Sequence, residues 1–97
     1  MFSFKKHVTG DNTILAVADK DILDKSFEQG RLVLSVPSSF YSEKEADEKE
    51  ILEHMSKSTI VNAVGKDIVD LLIRKNIIKK ENTLTVRGVP HAQIIRM

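Results

Sequence analysis

Apolar and polar residues alternate along the first third of the chain, with the period of a half-buried strand. Phe2, Phe4 and Val8 lie on this pattern, which His7 interrupts. Thr9-Gly10-Asp11-Asn12 is a turn cluster, and Thr13 to Ala18 resumes with β-branched and apolar residues. The spacing predicts an antiparallel hairpin. Asp19 stands where it would cap a short helical segment carrying Ile22, Leu23 and Phe27, ended by Gly30. Leu32, Leu34 and Val36 then share one face of a strand, and Pro37, with no amide hydrogen to donate, stops it.

Farther on, the period lengthens to that of a helix. Ser42 followed by Glu45 is a capping-box pattern, and Ala46, Leu52, Met55 and Thr59 fall on one stripe behind a charged start. A second stripe follows at Ile60, Val64, Ile68 and Leu71 or Leu72, at helical spacing. Gly65 either breaks it, with Asp67 opening a new helix, or packs closely inside one long helix; the break is the expectation. Thr83 to Val86 is strand-like, Arg87-Gly88-Val89-Pro90 reads as a turn or bulge, and Gln93 to Arg96 as a final strand. The predicted fold is α+β: a mainly antiparallel sheet with two to three helices packed on one face.

With 97 residues, the chain has room for one domain, spanning 1–97. No cysteine is present, which excludes disulfides, thiolate nucleophiles and Cys-ligated zinc. The N-terminal residues lack the apolar core of a secretory signal, and no run approaches the ~20 apolar residues that span a bilayer. A cytoplasmic protein without membrane contact is the expectation.

The formal net charge is only +1, but it is segregated. Residues 43–53 set six acids (Glu43, Glu45, Asp47, Glu48, Glu50, Glu53) against Lys44 and Lys49. Residues 74–96 set Arg74, Lys75, Lys79, Lys80, Arg87 and Arg96 against Glu81 alone. A basic C-terminal third attracts polyanions such as RNA. The plainer reading is a solvated surface whose lysines keep sheet edges apart, and a sequence pI near 8.0 is modest for a dedicated nucleic-acid domain.

Motifs of known chemistry are few. The four glycines are isolated, so neither a phosphate loop nor a dinucleotide fingerprint is present. Glu50 and His54 sit one helical turn apart, as a surface ion pair would, and no metal site or cofactor is expected. The segment Gly88-Val89-Pro90-His91-Ala92-Gln93 differs. Gly88 and Pro90 fix the backbone path, and a strand starting at Pro90 would project His91 and Gln93 to one face. Both side chains donate and accept hydrogen bonds, and imidazole titrates near neutrality.

These residues carry a resemblance. Gly-Val-Pro-His-Ala-Gln at 88–93 resembles the signature of the chiefly archaeal domain-of-unknown-function family 424. Gly30 to Leu34, Phe40-Tyr41 and the stretch from Ser58 to Gly65 are similar to further pieces of that family, in the same order. Ser42 departs from the family's usual glycine, as does Ser58 from its alanine. The resemblance implies an archaeal, cytoplasmic, single-domain protein without an assigned reaction, and points to Thr59, Asn62, Gly65, Gly88, Pro90, His91 and Gln93. Thr59 and Asn62, three apart on the predicted helix, would dock against the 88–93 turn with His91 between them. The same polar residues would otherwise form a hydrogen-bond network that fixes the turn.

Three functions fit this pattern. The first is a non-enzymatic binding module for RNA or a ribonucleoprotein such as the ribosome. There Thr59, Asn62, Gly88, Pro90, His91 and Gln93 form the contact, and Lys79, Lys80, Arg87 and Arg96 attract phosphate. The second is a small enzyme with His91 as general acid/base, assisted by Gln93 or Asn62. The third is a protein-interaction adaptor using the 43–57 helix or an unpaired sheet edge.

Overall fold

A computed structural model of the chain describes residues 1–96. The expected first hairpin forms: β1 (Phe2–Thr9) and β2 (Asn12–Asp19) pair antiparallel, with Thr9 opposite Asn12 across the Gly10-Asp11 turn. No helix carries Phe27. A single 3-10 turn over Lys20–Ile22 leads into a second hairpin, β3 (Ser26–Gln29) with β4 (Leu32–Ser35), and Gly30 lies in its turn at φ 62°. Pro37 ends β4 as expected and opens α1, a single turn at Ser38–Tyr41.

The capping box is replaced by a strand. Residues Lys44–Ala46 form β5, antiparallel to β1, and α2 (Glu48–Ser56) starts two residues later. Its cap is Asp47, whose Oδ1 accepts from the Glu50 amide at 2.9 Å. Residues Ile60–Val64 are not helical either: they form β6, parallel to β2. A short β-branched apolar run fits a buried strand as well as a helix turn, and pairing on both edges selects the strand. Gly65 does break the pattern, and α3 (Lys66–Arg74) follows it. The chain closes with β7 (Leu84–Val86) and β8 (Val89–Ile95), four residues earlier than the sequence suggested.

The six-stranded sheet runs β5-β1-β2-β6-β8-β7, antiparallel except at the β2–β6 pair. Helices α2 and α3 pack on one face. There Phe4, Leu15, Val17, Val61, Ala63 and Ala92 meet Ile51, Met55, Ile68 and Leu72 in the main core. The alternate residues point to the second face, where α1 and the β3–β4 hairpin cover part of the sheet. Ala16, Ala18, Val64 and Val89 pack there against Val36, Tyr41, Phe27 and Leu34. Register places the second-face residues in rows across strands: Lys5, Ala16, Asn62 and Gln93 in one, and Ser3, Ala18, Val64, His91 and Leu84 in the next. Among the described residues no helix is long and apolar enough to cross a membrane.

Candidate functional site

Strand β1 shows how the second face is held. Its residues Ser3, Lys5 and His7, two apart, all point beneath α1. Ser3 Oγ donates to the Tyr41 carbonyl at 3.0 Å, Lys5 Nζ to Ser39 at 3.1 Å, and His7 Nε2 to Phe40 at 2.9 Å. Each satisfies a carbonyl that a one-turn helix cannot pair internally. The His7 ring also stacks on Phe40, with centroids 4.4 Å apart and planes 18° from parallel. His7 therefore positions α1. His54 is likewise structural, packed on Phe4 with centroids 4.6 Å apart; burial is the main cause lowering its pKa. The expected ion pair with Glu50 is not formed among the described residues.

Beyond the cover of α1, the sheet presents Asn62, His91 and Gln93. Asn62 stands directly opposite Gln93 on the antiparallel β6–β8 pair, and His91 lies one row along on β8. Directly opposed side chains have Cβ atoms about 4.5–5.5 Å apart, so the two amides lie abreast. Asn62 and His91 are half-buried and Gln93 is exposed. Among the described residues none of the three side chains makes a hydrogen bond within the protein, and no buried polar side-chain atom lacks a partner. Their donors and acceptors therefore face solvent, and no polar network closes around the turn. Burial pushes the His91 imidazole pKa below its ordinary value of 6.5, so the ring is neutral at neutral pH. Beside this polar group, Ile14, Ile60 and Ile95 form an apolar row, with Ile95 62% exposed.

Gly88 and Pro90 set the strand that bears His91. Val86 faces Val89, so Arg87 and Gly88 form a two-residue turn with φ 53° and 79°, both in the left-handed region that such tight hairpins need. The Arg87 amide donates to Gln29 Oε1 at 2.7 Å, which ties this turn to the β3–β4 hairpin. Pro90 lies opposite Thr85, where the ladder makes no bond to β7, and its carbonyl accepts from the Gly65 amide at 3.0 Å.

Thr59 is not beside Asn62 and His91. It precedes β6, accepts from the Thr13 amide at 2.9 Å and has its one hydroxyl proton within reach of both the Thr13 carbonyl and Asn12 Oδ1. Its hydroxyl fastens the start of β6 to β2, because the segment that follows is a strand and not the helix that would bring Thr59 and Asn62 to one face. The four cations are spread out. The Arg96 guanidinium donates to the carbonyls of Met55 and Ser58, closing the C-terminal end of α2. Lys80 lines a groove with Thr85 and Pro90 on the α3 side, opposite His91. Lys79 precedes the 3-10 turn Lys80–Asn82, and Arg87 occupies the hairpin turn.

Asp19 caps a different helix from the one that follows it in sequence. It makes no side-chain cap to the 3-10 turn after it. Instead Oδ2 accepts from the Asp67 amide at 2.9 Å and Oδ1 from Ile68 at 3.0 Å, capping α3 from a strand 48 residues earlier. Burial outweighs these bonds and raises the Asp19 pKa above 3.8. Gly65 admits this carboxylate: at its φ of 125° an added Cβ would collide with Asp19 Cγ and Oδ2. A cleft of about 540 Å³ beside them is lined by Asp19, Asp21, Asp47, Glu48, Asp67 and Asp70, with Lys20 and Arg74. Among the described residues no cluster of His, Cys, Asp or Glu is disposed to hold a metal ion.

No curated protein sequence matches this chain. A similar fold is found in the crystal structure of an uncharacterized conserved protein from Methanopyrus kandleri. That match has a TM-score of 0.78 at 23% sequence identity and covers 99% of this chain and 93% of the other. The family model for DUF424, described as a protein of unknown function, matches residues 7–97, and the chain therefore belongs to the DUF424 family.

Proposed function

We propose that this protein is a non-enzymatic binding module for single-stranded RNA, free or within a ribonucleoprotein, and that the β6–β8 part of the second face is its contact. The observation that carries this reading is the group of polar side chains unengaged among the described residues, Asn62 and Gln93 in one row and His91 in the next, on the sheet beside exposed Ile95. Amides offer a donor and an acceptor side by side, the complement of an unpaired base edge. A neutral imidazole stacks on a base or accepts from it, and an apolar row supports the base's face. Arg87 and Lys79 supply the phosphate contacts, and Arg96 and Lys80 do not, given their positions.

Catalysis by His91 is the weaker reading, because among the described residues no carboxylate or hydroxyl is hydrogen-bonded to it. The test is a ¹⁵N NMR titration with heptauridylate and heptaadenylate at two salt concentrations. Shifts centred on Asn62, His91 and Gln93 are expected, with a log–log salt slope of about −1.4 for two phosphates. Absence of binding at low salt contradicts the proposal.

A further inference from the structure

The opposite face of the same sheet edge carries a groove separate from Asn62, His91 and Gln93. Helix α3 lies over β2, β6 and β8 but leaves β7 uncovered. Between them runs a groove of about 280 Å³ whose apolar lining comes from Val69, Ile73 and Pro90. Lys66 stands on its α3 wall and Lys80 on the loop before β7, and among the described residues neither has an ion-pair partner. The carboxylate that shares the lining, Asp70, is held by Arg74 at 2.8 Å.

The groove's outer wall is main chain. Strand β7 is the last strand of the sheet. The tight turn at 87–88 makes Val86 and Val89 a bonded pair, so Thr85 opposite Pro90 directs its N–H and C=O away from β8. No hydrogen bond engages those groups among the described residues. An extended peptide satisfies such an edge by pairing with it, whereas a nucleotide chain has no matching main-chain pattern. From this geometry we infer that the α3–β7 groove docks an acidic, extended peptide segment of a partner protein. Its main chain pairs with Thr85, an apolar side chain seats on Val69, Ile73 and Pro90, and carboxylates at either side meet Lys66 and Lys80.

A capped heptapeptide of alternating glutamate and valine, its lysine–valine counterpart and heptauridylate are the probes, each titrated into the whole ¹⁵N-labelled protein. The glutamate peptide is expected to shift the Lys66–Ile73 and Thr83–Val86 amides, slow hydrogen exchange at Thr85, and leave Asn62 and Gln93 unmoved. The double variant Lys66→Glu/Lys80→Glu changes two exposed side chains. It should bind the glutamate peptide about tenfold more weakly and gain affinity for the lysine peptide, a gain that loss of folding does not imitate. Equal binding of both peptides, unchanged preference in the variant, or heptauridylate shifting these amides in their place overturns the inference. None of these bears on the RNA contact across the sheet, which is read at Asn62 and Gln93.

Discussion

The Asp19 carboxylate accepts from two α3 amides while it stands in a buried position, and the two facts act against each other. Charge at a helix N-terminus is favourable, yet desolvation prevails and lifts the pKa. Asp19→Ala removes both acceptors and is expected to cost about 1–2 kcal/mol in urea unfolding, while Asp19→Asn keeps an acceptor and costs less. Gly65→Ala forces a Cβ into the same carboxylate from a left-handed backbone, so a larger loss of about 2–5 kcal/mol is expected. His91 has a signature in pH. Its folded pKa lies below the unfolded 6.5, so the unfolded chain binds more protons as the pH falls from 6.5. Stability contributed by the neutral ring is complete above 6.5 and declines below it. His54 acts in the same direction, so His91→Gln should make the decline between neutral and mildly acid pH shallower without abolishing it. An unchanged profile contradicts the burial assigned to His91.

At the level of elements, the β7–β8 hairpin is held by an uncomfortable residue. Arg87 takes φ 53°, which costs a non-glycine residue about 1–2 kcal/mol unless its side chain is Asn or Asp. Arg87→Asn should therefore raise the thermal midpoint while weakening RNA binding, since it removes a proposed phosphate contact. Arg96→Met should lower stability by about 1–2 kcal/mol, because the Ser58 carbonyl loses its donor and the Met55 carbonyl keeps only backbone amides. What the sequence revealed follows from period and punctuation. The first hairpin, the stop at Pro37 and the break at Gly65 are local features, and each was legible. The β6 segment was not, because five apolar-rich residues satisfy strand and helix periods alike and only pairing with β2 and β8 decides. The role of Asp19 is hidden for a related reason: its partners lie on α3, beyond the reach of local capping rules. Of the candidate site, Asn62 and Gln93 meet through cross-strand register, whereas Thr59 joins them only on a helical spacing that the strand abolishes.

Across the whole molecule, topology turns a nearly neutral chain into one with distinct edges. The acidic stretch 43–53 supplies edge strand β5 and the start of α2, while Lys79, Lys80 and Arg87 flank edge strand β7 at the other end of the sheet. Both edge strands are three residues long, which limits edge-to-edge pairing between copies. The two faces of the β8 end then diverge: Asn62, His91 and Gln93 project on one side, and Pro90 and Thr85 line the α3 groove on the other. The most direct test of the RNA contact follows the side-chain amide resonances of Asn62 and Gln93 during titration with heptaadenylate, in the wild type and in Asn62→Ala/Gln93→Ala. Both amide pairs are predicted to shift together and saturate with the backbone of His91, and the double variant should bind at least about tenfold more weakly at equal salt. Binding of undiminished strength in the double variant, with both amides silent in the wild type, would contradict the account.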